Sequence, residues 1–269
     1  MATTTLGQRA AGGGYGFRAV AQMEWQKLRT VRSTWYLLAV FAAGLIGVAM
    51  LALSHENYAQ MPAADRASFD PTSDGLLGLV LGQLLLGSLG VIAITTEFSS
   101  GMIRATFAVA PRRSLVLAAK AAVLGAVTLA AGEISAFAAF FAGQAVLTAP
   151  APHATLGQPG VLRAVLMAGA YPALIALIGL GIGAIIRHTA GAISCLVGVL
   201  FVLPLLLFAL GNSVQNAAQK FLPDTMRNSL TAVRPVAHLL SPWLTFSVLC
   251  GYAMAALAAG AWVLARRDA

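Results

Sequence analysis

Charged residues are scarce in this chain. Only 10% of its 269 residues are Asp, Glu, Lys or Arg, whereas 59% are hydrophobic. Soluble domains carry about 25% charged residues, so the composition excludes an ordinary soluble domain and indicates a protein that lies in lipid. The formal net charge is +8, but the basic residues do not alternate with aromatic stacking partners. Nucleic-acid binding is therefore not expected.

Cysteine and the common catalytic motifs are also missing or sparse. The two cysteines, Cys195 and Cys250, lie in apolar runs whose predicted depths in the membrane differ by roughly 10 Å, which excludes a disulfide. Both are expected to be small core residues. The chain has no phosphate-binding loop and no nucleophile elbow, and its four histidines lack ligand spacing. No catalytic residue and no metal site is predicted.

Long apolar runs fill most of the chain. About 20 apolar residues are needed to cross the hydrocarbon of a bilayer, and six runs meet this length. The predicted fold is all-α and membrane-spanning, with residues 1–14 as a disordered tail and residues 15–269 as one transmembrane domain. The six predicted spans are residues 35–53, 76–95, 115 into the 140s, 161–186, 190–210 and 243–264.

The segment before the first span predicts a basic amphipathic helix on the membrane surface. One side of its helical wheel is apolar, and the opposite side carries Gln22, Gln26, Arg29 and Ser33. An alternative interpretation is a simple extension of the first span. The residues on the apolar side are Phe17, Val20, Ala21, Leu28, Val31 and Trp35.

The distribution of Lys and Arg predicts the orientation. If the amino terminus is inside, twelve of the 17 basic residues lie in the inner segments and five in the outer ones. An excess of basic residues marks the cytoplasmic side. We therefore expect both termini in the cytoplasm and the six spans in the cell membrane.

One short connection, EFSSGMIRATFAVAPRRSLVLAAK (residues 97–120), concentrates charge between the second and third spans. Ser99 or Ser100 is predicted to cap a short helix that begins near Gly101, and Pro111 is predicted to end it. Ile103, Phe107 and Ala110 form an apolar ridge along this helix, with charged flanks. Two interpretations are open: the ridge docks into a cleft on a cytoplasmic partner, or the segment is an ordinary basic loop that follows the positive-inside rule.

The same connection resembles the linker of permease subunits in the type-two ABC transporter family, which are largely drug and antibiotic exporters. The amino-terminal EWQKLRTVRSTW (residues 24–35) also resembles that family's surface helix, and the terminal RRDA its common ending. Met102 departs from the threonine that is commoner there. The matching residues in the linker are Glu97, Gly101, Ile103, Arg104, Pro111, Arg112, Arg113 and Lys120.

The resemblance implies a half-transporter without an enzymatic activity of its own. Two permease chains, identical or sister chains, would pair with two separate ATPase subunits, which would bind ATP and Mg²⁺. The short helix would be the coupling helix that docks on the ATPase, and the exported compound would be hydrophobic or amphiphilic. The residues that the resemblance assigns to coupling are Glu97, Gly101, Ile103, Arg104, Phe107, Pro111, Arg112 and Arg113, supported by Glu24, Lys27 and Arg29.

Glu133 is a carboxylate well inside the third apolar run. A charge at the bilayer centre costs about 2.5–3.5 kcal/mol on insertion scales, so Glu133 is expected to face other helices or a wet cavity. It could pair with Arg163, Gln83 or Gln144. These positions could contact a polar or cationic substrate, or Glu133 could be a hydrogen-bonded structural carboxyl.

Two other functional classes remain open from the sequence. A secondary carrier would need coupling-ion sites and inverted repeats, which are not evident. A membrane scaffold or immunity-type protein would only bind a partner. The glycine pairs Gly78/Gly82 and Gly179/Gly183 are expected to mediate helix packing within the chain.

Overall fold

The computed structural model describes residues 16–55, 58–110, 112–209, 218–234 and 239–266. The predicted tail of residues 1–14 and Pro111 lie outside this part of the chain. Within it the structure is all-helical and contains no β-strand. The α-helices, numbered in chain order, are α1 (Phe17–Thr30), α2 (Arg32–Ser54), α3 (Ala63–Ser68), α4 (Pro71–Gly75), α5 (Leu79–Ser99), α6 (Met102–Val109), α7 (Arg113–Val146), α8 (Val161–Ile186), α9 (Thr189–Val197), α10 (Leu203–Ala209), α11 (Pro223–Thr231) and α12 (Pro242–Arg266).

Six helical segments in this part of the chain are long and apolar enough to cross a membrane. They correspond to the six predicted spans, and the fourth has the predicted bounds, Val161–Ile186. The third is the longest because α7 continues for 34 residues, about 51 Å at 1.5 Å per residue. The protein is therefore a multi-pass integral membrane protein.

Helices α5 and α8 pack with their backbones in direct contact at glycine residues. A Cβ atom on Gly90 would lie 1.9 Å from the carbonyl oxygen of Ala176, and one on Gly179 would lie 2.3 Å from that of Gly87. Only a residue without a side chain fits such distances. Small residues let membrane helices approach closely, because dispersion contacts replace the hydrophobic effect as the packing force.

The two predicted glycine pairs also pack inside the chain, as expected. A Cβ atom on Gly82 would lie 2.6 Å from the ring of Phe41 on α2, and one on Gly183 would lie 2.8 Å from Ile94 on α5. Gly78 contacts α2 in the same way. These glycines therefore serve packing among the helices of one chain.

The fifth span is interrupted. It runs as α9, a π-helical segment at Gly198–Val202, and α10. Pro204 follows the π segment and cannot donate a hydrogen bond to the carbonyl of Leu200, which accounts for an irregularity at this point. The expectation that Cys195 is a core residue is wrong: it is exposed on α9, and both cysteines are free.

The two ends of the helix bundle are identified by the contacts that their residues make. At one end, Arg113 at the start of α7 donates a hydrogen bond of 2.9 Å to the carbonyl of Leu264 near the end of α12. We call this the cluster end, after the ion cluster described below. At the opposite end, the connections fold onto the bundle, and Tyr171 of α8 donates to the carbonyl of Pro223 at the start of α11 over 3.1 Å.

Candidate functional site: a buried ion cluster

Four charged side chains meet at the cluster end, and we call them the ion cluster: Glu24, Lys27, Glu97 and Lys120. Lys27 Nζ lies 2.8 Å from Glu24 Oε1 and 3.0 Å from Glu97 Oε1. Lys120 Nζ lies 2.6 Å from Glu97 Oε1 and also donates a hydrogen bond to Glu24 Oε2. Each lysine therefore contacts both carboxylates, and the cluster is neutral when all four groups are charged.

The cluster joins helices that are far apart in the sequence. Glu24 and Lys27 lie on α1, Glu97 lies in the last turn of α5, and Lys120 lies two turns into α7. The Lys120–Glu24 contact spans 96 residues of chain. Because opposite charges alternate around the cluster, these three helices are fastened at one point.

Three of the four side chains are almost fully removed from solvent. The exposed side-chain fraction is 2% for Glu24, 6% for Glu97 and 5% for Lys120, whereas Lys27 retains 25%. Burying charges is costly, so removing one member of a buried pair costs about 3–5 kcal/mol because its partner stays buried and uncompensated. The cluster is therefore a point at which single substitutions have large effects.

The short helix α6 contacts the cluster through Thr106. Lys27 Nζ donates to Thr106 Oγ1 over 3.3 Å, and Thr106 is buried. The chain reaches this position through Gly101, which has φ = 72° and precedes the first residue of α6. This left-handed conformation favours glycine. Gly101 is the N-cap residue and makes no side-chain cap hydrogen bond. The predicted serine contact is nevertheless present, because the backbone N–H of Met102 donates to Ser100 Oγ over 3.5 Å.

The ionisation of Lys27 responds to this environment. Burial alone lowers the pKa of Lys27, but hydrogen bonding and Coulomb attraction from Glu24 and then Glu97 exceed that effect. The net result is a raised pKa for Lys27. The ammonium group therefore stays charged throughout the physiological pH range.

The apolar ridge of α6 faces the protein itself. Ile103 and Ala110 are each only 4% exposed, and Phe107 is partly buried. Ala110 and Phe107 pack in a small core with Val20 of α1 and Val116 of α7. The expectation that this ridge enters a cleft on a partner is therefore wrong, because its own chain already covers it.

The opposite face of α6 is free of such cover. Met102 is 49% exposed, and Arg104, Ala105 and Ala108 are also exposed. We call these four residues the open face of α6. This face combines one long apolar side chain, one guanidinium group and small residues, and it is the surface of α6 that another protein could reach.

The arginines assigned to this region take different positions. The guanidinium of Arg113 lies 5.3 Å from the ring centroid of Phe107 and also bonds to α12, so it links α6 to a further span. Arg112 is exposed. Arg29 is exposed as well, and its backbone carbonyl accepts a hydrogen bond from the indole of Trp35. Arg29 is therefore not a member of the ion cluster.

A cavity of about 190 Å³ lies beside the ion cluster. Glu97, Lys120 and Met102 are among the residues that line it. Oε2 of Glu97 is buried and has no hydrogen-bond partner in the described parts of the chain.

The three polar residues predicted inside the membrane do not come together. Gln83 accepts a hydrogen bond from Tyr171, and Gln144 Oε1 accepts one of 2.8 Å from the backbone of Ala154. Oε2 of Glu133 is buried and finds no partner among the residues that the structure describes. Of the three partners considered for Glu133, only Arg163 lines a cavity together with it, and this is a second cavity that lies away from the ion cluster.

Lys120 is the member of this arrangement that was not assigned to the site from the sequence, and Glu24 was assigned only by resemblance. Lys120 entered only as a match to the linker pattern, although a lysine seven residues inside an apolar span is a signal of a buried partner. Glu24 lies four residues after Val20, on the apolar side of the α1 wheel. A carboxylate at such a position indicates an internal ion pair, and Val20 and Glu24 are the two buried residues of α1.

The fold and the site together define a six-span integral membrane protein whose short connecting helix is fastened to the spans by a buried ion cluster. The chain matches no family model and no curated protein. Its function must therefore be inferred from this geometry.

Proposed function

We propose that this chain is the membrane-spanning permease subunit of an ATP-binding cassette transporter that exports a hydrophobic or amphiphilic compound. A separate ATPase subunit binds ATP and Mg²⁺, and this chain carries out no catalysis itself. The observation that carries the proposal is the ion cluster, which fastens α6 to α1, α5 and α7 at one end of the bundle. A short helix fixed in this way suits the transmission of force from an attached motor.

The proposed coupling works through the two faces of α6. The ATPase contacts the open face at Met102, Arg104 and Ala108, which are exposed. The buried face, with Ile103 and Thr106, passes the displacement to the cluster and to the helices that it joins. Closure of the ATPase pair then biases the spans between two arrangements, which is what a ligand-driven conformational change requires.

The proposal places the cluster end in the cytoplasm of the cell, with both termini on that side and two permease chains, identical or sister chains, in each transporter. It is supported by the excess of basic residues in the segments at this end. The test is labelling of single-cysteine variants in intact cells with a membrane-impermeant maleimide, after replacement of Cys195 and Cys250. Arg112→Cys should be protected and Asp65→Cys labelled. Labelling of Arg112→Cys from outside would refute this orientation.

Docking on the ATPase is tested by co-purification with an ATP-binding cassette subunit, sought first among the genes adjacent to the gene of this chain. Arg104→Glu reverses the one charge of the open face and should abolish co-purification. Arg66→Glu is the matched control, because Arg66 is also exposed but lies on α3 at the opposite end. Equal recovery of the ATPase with both variants would reject α6 as the docking element.

A transport assay with and without the ATPase separates the proposal from the two other functional classes. A secondary carrier would transport without any ATPase, and a scaffold or immunity-type protein would bind a partner without transporting. Transport that requires both the ATPase and its ability to hydrolyse ATP supports the permease. Transport by this chain alone would refute it.

A further inference from the structure

A second cavity lies at the opposite end of the bundle, away from the ion cluster. Its volume is about 430 Å³, and it lies between the second half of α7 and the first turns of α8 and α12. Leu162, Leu166, Trp243 and Phe246 supply apolar and aromatic walls, and Glu133 supplies a carboxyl group. Trp243 is 69% exposed, so the cavity opens at the side of the bundle and not into its core.

Glu133 is held in this cavity by the backbone of α8. A Cβ atom on Gly169 would lie 2.7 Å from Glu133 Oε2, and one on Gly132 would lie 2.1 Å from the carbonyl oxygen of Gly169. The backbones of α7 and α8 are therefore in contact where the two helices cross. The carboxyl group of Glu133 occupies the space that a side chain at position 169 would need. Its Oε2 atom is buried and unpartnered within the described residues.

The nearby guanidinium of Arg163 is engaged elsewhere. Its Nη1 atom donates to the carbonyl of Leu230 over 3.3 Å, and Nη2 donates to that of Ala232 over 2.6 Å. Both carbonyls lie at the end of α11, where the helix dipole favours a positive charge. The guanidinium of Arg163 is thus bound to the carboxyl-terminal end of α11. No ion pair joins Arg163 to Glu133 in the described part of the chain.

An ionised carboxyl group in apolar surroundings is stable only beside a positive charge. A bound cation supplies that charge, and aromatic faces such as those of Trp243 and Phe246 attract the same kind of group. We propose that this cavity binds an amphiphilic cation, with its ammonium group against Glu133 and its apolar body against Leu162 and Leu166. A role of this cavity in transport rests on the proposed function. The exported compound would then be a cationic amphiphile.

The test is direct binding of dansylcadaverine, a fluorescent alkylammonium compound, to the full chain in phosphatidylcholine nanodiscs without any ATPase. Dansyl emission excited through tryptophan should saturate and be displaced by dodecyltrimethylammonium. Glu133→Gln should weaken binding by about tenfold or more, since hydrogen bonds to charged groups contribute about 1.5–3 kcal/mol. Asp65→Asn is the control, because it removes one exposed carboxylate at the same end and should leave affinity unchanged.

Two further variants test the position and the shape of the site. Trp243→Phe keeps an aromatic wall and should remove most of the energy transfer, because Trp25, Trp35 and Trp262 lie toward the cluster end. Leu166→Trp fills the cavity from its apolar wall, keeps the Glu133 side chain and should abolish binding. This variant tests the site even if Glu133→Gln fails to fold.

Three results would overturn the inference. Glu133→Gln could bind with the affinity of the unaltered chain, or a neutral dansyl alkylamide could bind as well as the amine. Probe binding could also disappear when phosphatidylethanolamine is added to the nanodiscs, which would make a lipid ammonium headgroup the occupant. Each of these results concerns the cavity alone and leaves ATPase docking at α6 to its own test.

Discussion

Replacing Lys120 tests how much the ion cluster contributes to stability. Lys120→Met removes an ammonium group that contacts Glu24 and Glu97 and whose side chain is 5% exposed. Two buried carboxylates then share Lys27 alone. The expected cost is about 3–5 kcal/mol, and at about 2–4 °C per kcal/mol for a chain of this size the apparent melting temperature should fall by roughly 6–20 °C.

A double-mutant cycle separates charge balance from lost packing. Glu97→Gln in addition to Lys120→Met restores neutrality and leaves the Lys27–Glu24 pair at 2.8 Å. The double variant should therefore melt no lower than Lys120→Met alone, with a coupling energy of about 0.5–3 kcal/mol.

The assay is fluorescence-detected size-exclusion chromatography of detergent-solubilised protein after heating, at one heating rate because such unfolding is commonly irreversible. Lys220→Met is the matched control. Its ammonium group lies over the ring of Phe221, outside the ion cluster, and its removal should shift the melting temperature little. Strictly additive losses in the double variant would show that the four charges do not act as a unit.

Three further predictions concern backbone geometry and pH. Gly101→Ala should destabilise α6 by about 1–2 kcal/mol and Gly101→Asn by less, because φ at this position is 72° although there is space for a Cβ atom. The effect of each variant is measured by its melting curve and by co-purification of the ATPase. Gly90→Ala should prevent folding, since its Cβ would meet the carbonyl of Ala176, whereas Gly44→Ala has open space and should be neutral in expression and chromatography. The raised pKa of Lys27 means that its ion pairs stabilise the fold fully below its ordinary pKa of 10.5 and lose this effect as pH rises through the higher folded pKa. Lys27→Met should therefore show a smaller alkaline fall in melting temperature than the unaltered chain, and an equal fall would refute the assignment.

The spans were predictable because membrane insertion depends on local composition. A run of about 20 apolar residues must form a helix in lipid to satisfy its backbone polar groups, so the spans, including Val161–Ile186, follow from the sequence. The π segment at Gly198–Val202 was not predicted. Its position depends on how the neighbouring turns share hydrogen bonds.

The site was predictable only in part. Glu24, Lys27 and Glu97 were assigned to one region by resemblance, but their pairing with Lys120 joins residues up to 96 positions apart. Of the two interpretations of this connection, docking of the α6 ridge into a partner is contradicted by the structure, because an apolar stripe indicates that a face is buried and not which molecule covers it. Val20 and Val116 cover it from within the same chain.

The sequence by itself determined that this protein crosses a membrane six times and that its charges gather in the connections, since both follow from the cost of placing polar groups in hydrocarbon. Only the tertiary structure decided which charges neutralise one another. Coulomb and hydrogen-bond energies depend on distances of about 3 Å, and those distances arise when α1, α5 and α7 pack together. The packing of α7 on α8 places Glu133 Oε2 beside Gly169 without a hydrogen-bond partner among the residues that the structure describes. The local sequence around either residue does not predict this contact.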